Sequence, residues 1–180
     1  MISEGINASP GAVTGKIVFT AEDAETWTRN GEKIILCRPQ LEPDDIHGLI
    51  AADGILTVYG GKTSTAVVIA RGLGKPAVCG AKDIFMDLEK KLFWVEDLNH
   101  IFYEGDVITI DGSTGVVAMG SPKLIEPKIN LEFEKLLKMA DEIRVLSVRA
   151  NAETPFDLEN AIKFGAEGRF VQNRTNVYGS

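Results

Sequence analysis

Short apolar runs closed by glycine or proline alternate with stretches of helical spacing along the first half of the chain. GAVTGKIVF reads as a strand, AEDAETWTRNG as a short helix ending at Gly31, and KIILCRP as a buried strand closed by Pro39. PDDIHGLIAA predicts a helix opened by Pro43, with acids in its first turn where they suit the helix dipole. GILTVYGG gives a third strand, STAVVIARGLG a helix that stops at Gly72 and Gly74, and KPAVCG a fourth strand. From Lys91 to Met119 the apolar period falls to two. KLFWVE, HIFYEG, DVITIDG and GVVAMG there predict antiparallel strands, with a tight turn at DGSTG. The pattern predicts an α/β domain over residues 1–120.

Beyond it the pattern changes again. SPKLIEPK is a proline-bearing linker, and INLEFEKLLKMADEI places Leu131, Leu136, Leu137 and Ala140 along one side of a helix, so residues 121–142 read as linker and helix. RVLSVRAN reads as a strand and TPFDLENAIKFGAEG as a helix. Residues 143–180 thus open like a parallel β/α repeat with a single unit, whereas a closed (β/α)₈ barrel takes roughly 200 residues or more. Val145, Leu146, Val148, Leu158, Ile162 and Phe164 would be covered by neighbouring units in such a barrel. One unit alone is expected to be labile, folded back, or covered by self-association with a second copy.

Composition narrows the function classes. The 180 residues carry 44% hydrophobic side chains and a net charge of −7, with acids scattered and no basic stripe interleaved with aromatics. Nucleic acid is therefore not an expected partner. No apolar run approaches the ~20 residues needed to cross a bilayer, so no membrane role is expected. The start MISEGINASPG lacks a basic stretch followed by an apolar run, and Cys37 and Cys79 stand alone in strand-like contexts. A cytoplasmic protein with buried thiols is expected, with no metal site.

GGKTSTAVVIARGLGKP, residues 60–76, carries the candidate chemistry. Gly60 and Gly61 let the backbone approach an anion, and the following helix turns its unpaired N–H groups and positive dipole end toward it. Thr63 and Ser64 are placed either to cap those N–H groups or to donate to a phosphate oxygen. Arg71, near the helix end, is placed either to hold phosphate or to cap carbonyls. The spacing is not that of a P-loop.

INASPGAVTGKIVF, EDAE, PDDIHGLIAADGILTVYGGKTST, ARGLGKPAVCG and EGDVITIDGSTGVV together resemble the mobile phosphohistidine domain of the pyruvate phosphate dikinase family, in unbroken order over roughly the first 120 residues. VRANAETP and FGAEG resemble the opening of that family's phosphoenolpyruvate (PEP)-binding TIM barrel. The resemblance implies a swivelling β/β/α phosphohistidine domain, then a linker helix and one orphan β/α unit of an incomplete barrel. It implies partner domains that bind nucleotide and PEP, and Mg²⁺, ATP and PEP as what the whole enzyme uses.

The family's loop is similar to GGMTSHAAVVARG, so its carrier histidine falls on Thr65 and its methionine on Lys62. Thr63 matches the threonine that a regulatory protein phosphorylates in plant members. Arg149 matches an arginine that holds the phosphate of PEP. A threonine hydroxyl needs a base, and its phosphoester is too stable to pass the group on. The expected function is that of a dikinase-type phosphotransferase segment without turnover of its own, or alternatively of a non-catalytic module that docks on a complete dikinase. After FGAEG the family continues much like GIGLCRTEHMF, whereas this chain reads RFVQNRTNVYGS. With suitable codons, residues 169–178 read one base later give a close match to that motif. A change of frame is therefore one expected origin of the ending.

Overall fold

The computed structural model describes residues 1–96, 98–124, 131–151, 158–159, 161–162 and 165–170. The chain divides into two compact units, Met1–Ile125 and Glu126–Ser180.

Four parallel strands form the centre of the first unit: β3 (Ala12–Val18), β4 (Ile34–Arg38), β5 (Gly54–Thr57) and β6 (Ala77–Cys79). Parallel neighbours need a crossover, and the sequence supplies a helix each time. These are α1 (Ala21–Arg29), α2 (Ile46–Ala51) and α3 (Thr65–Gly72). Thr20 caps α1 by accepting the Asp23 N–H at 3.1 Å. The expected single helix at PDDIHGLIAA is instead a 3₁₀ turn, Pro43–Asp45, leading into α2. Asp45 is buried there; its Oδ2 accepts the Glu42 N–H at 2.9 Å and pairs with Arg38 Nε at 3.1 Å.

β4 is apolar on both faces because both are covered. Ile34 and Leu36 pack with Ala24, Leu49, Val67 and Ala70 of the helices. Ile35 and Cys37 pack on the other side with Phe19, Phe93 and Phe102. That second layer is a small antiparallel sheet of β7 (Ile84–Asp87), β8 (Leu92–Val95) and β9 (Ile101–Tyr103). Phe93 and Phe102 stack at 4.8 Å across β8 and β9. Helices, large sheet and small sheet thus make an α/β/β layering.

The large sheet is completed by β10 (Val107–Asp111) and β11 (Val116–Met119) on one flank and by the N-terminal strands β1 (Ser3–Glu4) and β2 (Ile6–Ser9). Its order is β1-β11-β10-β3-β4-β5-β6-β2. β1 and β2 are one stretch of chain broken only at Gly5, yet they occupy opposite ends of that order, so the N-terminal stretch joins both edges and closes the sheet on itself. The Gly5 N–H bonds Gly115 O at 2.8 Å at the crossing point.

In the second unit, α4 (Leu131–Ile143) occupies the expected linker-helix position. Only Arg149–Asn151 of the expected strand RVLSVRAN forms a strand, β12, which pairs in parallel with β13 (Gly168–Phe170). Arg144 joins these pieces, bonding Asp141 at 2.6 Å and also Glu167. Residues 158–159 and 161–162 are helical. The rest of the expected helix TPFDLENAIKFGAEG apart from 165–168, the Phe164 position, and residues 171–180 of the divergent ending lie outside the described residues.

Candidate functional site

β5 ends at Thr57, and its hydroxyl donates to Tyr59 O at 2.8 Å, curling the chain into the glycine turn. Gly60 sits at φ +113°, a conformation that side chains other than glycine rarely adopt. The turn is braced from β6: Ala81 N–H bonds Thr57 O at 3.2 Å, and a Cβ on Gly80 would lie 3.0 Å from Gly60 O. Ser64 then takes extended dihedrals (φ −65°, ψ 151°) and its carbonyl accepts the N–H groups of Val67 and Val68. It is the N-cap residue by backbone.

Its side chain does not cap. Ser64 Oγ is fully buried and has no hydrogen-bond partner among the described residues. Of the two expected roles for this hydroxyl, closing the helix end is therefore not the one it performs. With the Val67 and Val68 N–H groups taken by Ser64 O, those of Thr65 and Ala66 at the start of α3 have no side-chain acceptor among the described residues, which leaves donor capacity for an anion. Such an end favours an anion by about 0.3–1 kcal/mol at the surface. Thr63 and Lys62 beside it are exposed, and Lys62 makes no ion pair among the described residues.

Thr65 opens α3 and is exposed where two clefts meet. One, about 250 Å³, is lined by Thr57, Tyr59, Gly60, Ser64 and Thr65. The other, about 100 Å³, is apolar, with Leu41, Pro43, Ile46, Leu49 and Ile69 around Thr65. Among the described residues, the one carboxylate lining either cleft is the exposed Glu42. A carboxylate held out in solvent is not placed to activate an aliphatic hydroxyl. Neither histidine lines these clefts: His47 is exposed on α2, and His100 packs edge-on to Phe102 at 4.6 Å.

Arg71 donates from Nε to Ala8 O at 2.6 Å, tying α3 to β2 rather than capping its own helix. Arg149 lies exposed on β12, in the second unit. Among the described residues no group of three or more His, Cys, Asp or Glu side chains could hold a metal ion, and no helix is long and apolar enough to cross a membrane. Sequence reasoning missed Thr57, Tyr59 and Leu41 as walls of the site. They come from the ends of β4 and β5, and no local signal marks them.

Residues 30–115 match the mobile domain of the PEP-utilising enzymes. The chain therefore carries a domain of that class. Over 93% of its length it is 46% identical to pyruvate, phosphate dikinase of Rhizobium meliloti, and over 92% it is 48% identical to that of Entamoeba histolytica. The sequence is that of a pyruvate phosphate dikinase-like protein. It spans 18% of the length of each of these two relatives. Among solved structures, one of Enzyme I (nEIt) is similar at 23% identity, with a TM-score of 0.34 over 62% of this chain and 37% of its own.

Proposed function

We propose that residues 1–120 form a swivelling phosphohistidine-type domain in which the position of the phosphoryl carrier is held by Thr65, so that the chain has no phosphoryl-transfer turnover of its own. The observation that carries this reading is the site's composition: the phosphate cradle of Gly60, Gly61, Thr63, Ser64 and the α3 N-terminus accompanies a hydroxyl where the family's loop has an imidazole. Imidazole, with a pKa near 6.5, is nucleophilic at neutral pH and forms a labile N–P bond. A threonine hydroxyl with Glu42 as the one carboxylate lining its clefts among the described residues is neither activated nor able to release a phosphoryl group.

In this reading residues 143–180 correspond to the start of a PEP-binding barrel, with Arg149 at the position of a PEP phosphate ligand. Its partners are the nucleotide- and PEP-binding domains of a dikinase, and Mg²⁺ and ATP belong to the nucleotide-binding partner. Arg71 serves as the anchor of the cradle helix. Mixing the chain with labelled PEP and a separate PEP-binding domain tests the proposal: the chain stays unlabelled, and acid-stable label on Thr65 would overturn it.

The cradle, with the exposed Lys62 beside it and unpaired among the described residues, favours a second use as a docking module. Added to an intact dikinase, such a module inhibits in proportion to its concentration. Absence of inhibition removes that use.

A further inference from the structure

Three aromatic side chains are exposed on the flank beside the glycine turn. Tyr59 is 59% exposed, Phe85 43% and Trp94 38%. Scattered surface aromatics need no explanation, but these three line one cleft of about 200 Å³, with Pro39, Val58 and Ile84 as its floor. Phe85 and Trp94 are cross-strand partners on β7 and β8, and their rings stack at 5.7 Å with an 18° interplanar angle. That stack offers a flat π-face, and Tyr59 reaches the same cleft from the end of β5.

The cleft also contains a cation. Lys82 lines it, is exposed, and makes no ion pair among the described residues. Its turn, Gly80–Lys82, is the one packed against Gly60 O, and Tyr59 lines both this cleft and the one at the glycine turn. Flat aromatic walls select a planar ring, while a lone unpaired ammonium at the rim selects an anionic substituent on that ring. A volume of about 200 Å³ admits one bicyclic ring and leaves a charged tail at the surface.

We infer that Tyr59, Lys82, Phe85 and Trp94 form a binding site for a planar heteroaromatic ring carrying a phosphate, as in a nucleoside monophosphate. The ring stacks on Trp94 and Phe85, and Lys82 holds the phosphate. The site does not use the hydroxyl of Thr65 and stands independently of the carrier reading.

Trp94 supplies the readout. The chain has two tryptophans, and Trp27→Phe leaves Trp94 as the sole reporter. Titration with adenosine 5′-monophosphate is expected to quench Trp94 saturably. Adenosine, which lacks the anion, binds roughly tenfold more weakly, as loss of a charged hydrogen bond implies, and ribose 5-phosphate, which lacks the ring, gives no quenching. Lys82→Ala brings the monophosphate to the adenosine value, and Phe85→Ser abolishes binding of both, with unchanged thermal midpoints as the folding control. If Phe85→Ser does not fold, Tyr59→Ala takes its place. Equal affinity for adenosine and its monophosphate, no effect of Lys82→Ala, or no saturable quenching each overturns the inference. So does concentration-dependent sedimentation with Trp94 buried, which would assign the aromatic face to a second copy of the chain.

Discussion

Arg38 Nε meets Asp45 Oδ2 at 3.1 Å, with side chains only 19% and 8% exposed. Arg38 Nη1 also donates to Phe19 O at 3.1 Å, so one guanidinium ties the end of β3 to the turn that opens α2. That turn carries Pro43 and leads into Ile46 of α2, and both wall the smaller cleft at Thr65. Removing one partner of a buried pair leaves the other charge uncompensated. Asp45→Ala is therefore expected to lower unfolding stability by about 3 kcal/mol in denaturant titration. A loss below about 1 kcal/mol would show that the pair behaves as a surface one.

Ser64 gives a prediction of opposite sign. A buried hydroxyl without a partner costs about 1–3 kcal/mol, so Ser64→Ala is expected to raise stability by about 1 kcal/mol. The same substitution should weaken binding of inorganic phosphate, measured by calorimetry. Lower stability together with unchanged phosphate affinity would mean that the hydroxyl serves the fold alone.

An imidazole placed at residue 65 tests the proposed carrier position. Thr65→His, given labelled PEP and a PEP-binding domain, should take up label in an acid-labile, base-stable form. The imidazole nitrogen attacks phosphorus, the P–O bond to the enol oxygen breaks, and the enolate leaves to become pyruvate on taking a proton. An unlabelled Thr65→His protein that still binds phosphate would place the defect in docking, for which Lys62→Met at the exposed Lys62 is the first substitution to add.

A three-way ion cluster sets the pH dependence. Lys91, at φ +51°, reaches Asp23 Oδ2 at 2.6 Å and Glu104 Oε2 at 3.0 Å, linking the small sheet to α1. Burial by itself raises the Asp23 carboxyl, but bonds from Lys91 and Thr20 outweigh it and hold the group below 3.8. Bonds to Asp23 and then Glu104 raise the Lys91 ammonium above 10.5. The depressed acid contributes in full above its unfolded pKa and is lost as pH falls through the folded value. The raised amine contributes in full below its unfolded pKa and is lost as pH rises through the folded value. The stability gap between the chain and Lys91→Met should hence be flat from about pH 5 to about pH 9 and narrow outside both limits. Urea midpoints across pH decide it; a gap unchanged at about pH 2 would rule out the cluster as its source.

The second unit leaves much apolar surface uncovered. Val145 is 97% exposed and Leu146 84%. Amides of residues 143–151 are expected to exchange far faster than those of β4 and β5. Protection equal to that of the core, in a demonstrated monomer, would contradict this.

Much of the first unit was legible because its strands and helices carry their own signals. KIILC is apolar on both faces, α1 has its Thr20 cap, and the period of two marks β8 to β11. SEGINAS reads poorly because it has few apolar residues and a glycine at its centre, and only pairing with β11 and β6 makes it strand. β7, IFMD, was missed for its brevity; its stability comes from the register with β8. At the site, the glycines and the helix start were legible. The idle Ser64 hydroxyl was not, because a cap residue in sequence says nothing of where its oxygen points. Nor was the bond from Arg71 to Ala8, which spans 63 positions.

The closing stretch Ser3–Ser9 makes the physical domain larger than the part of it that sequence comparison detects. The match to the mobile-domain family starts at residue 30 and stops at 115. A polypeptide trimmed to those limits would lack β1, β2, β3 and β11, and the flank of β4 that meets β3 would be bare, together with both flanks of β10 and the outer flank of β6. Unpaired strand flanks recruit other chains. A piece of this protein that keeps every strand of the large sheet paired therefore begins before Ser3 and runs through Met119, and a gene cut at the borders of resemblance is expected to yield aggregate in place of a folded domain.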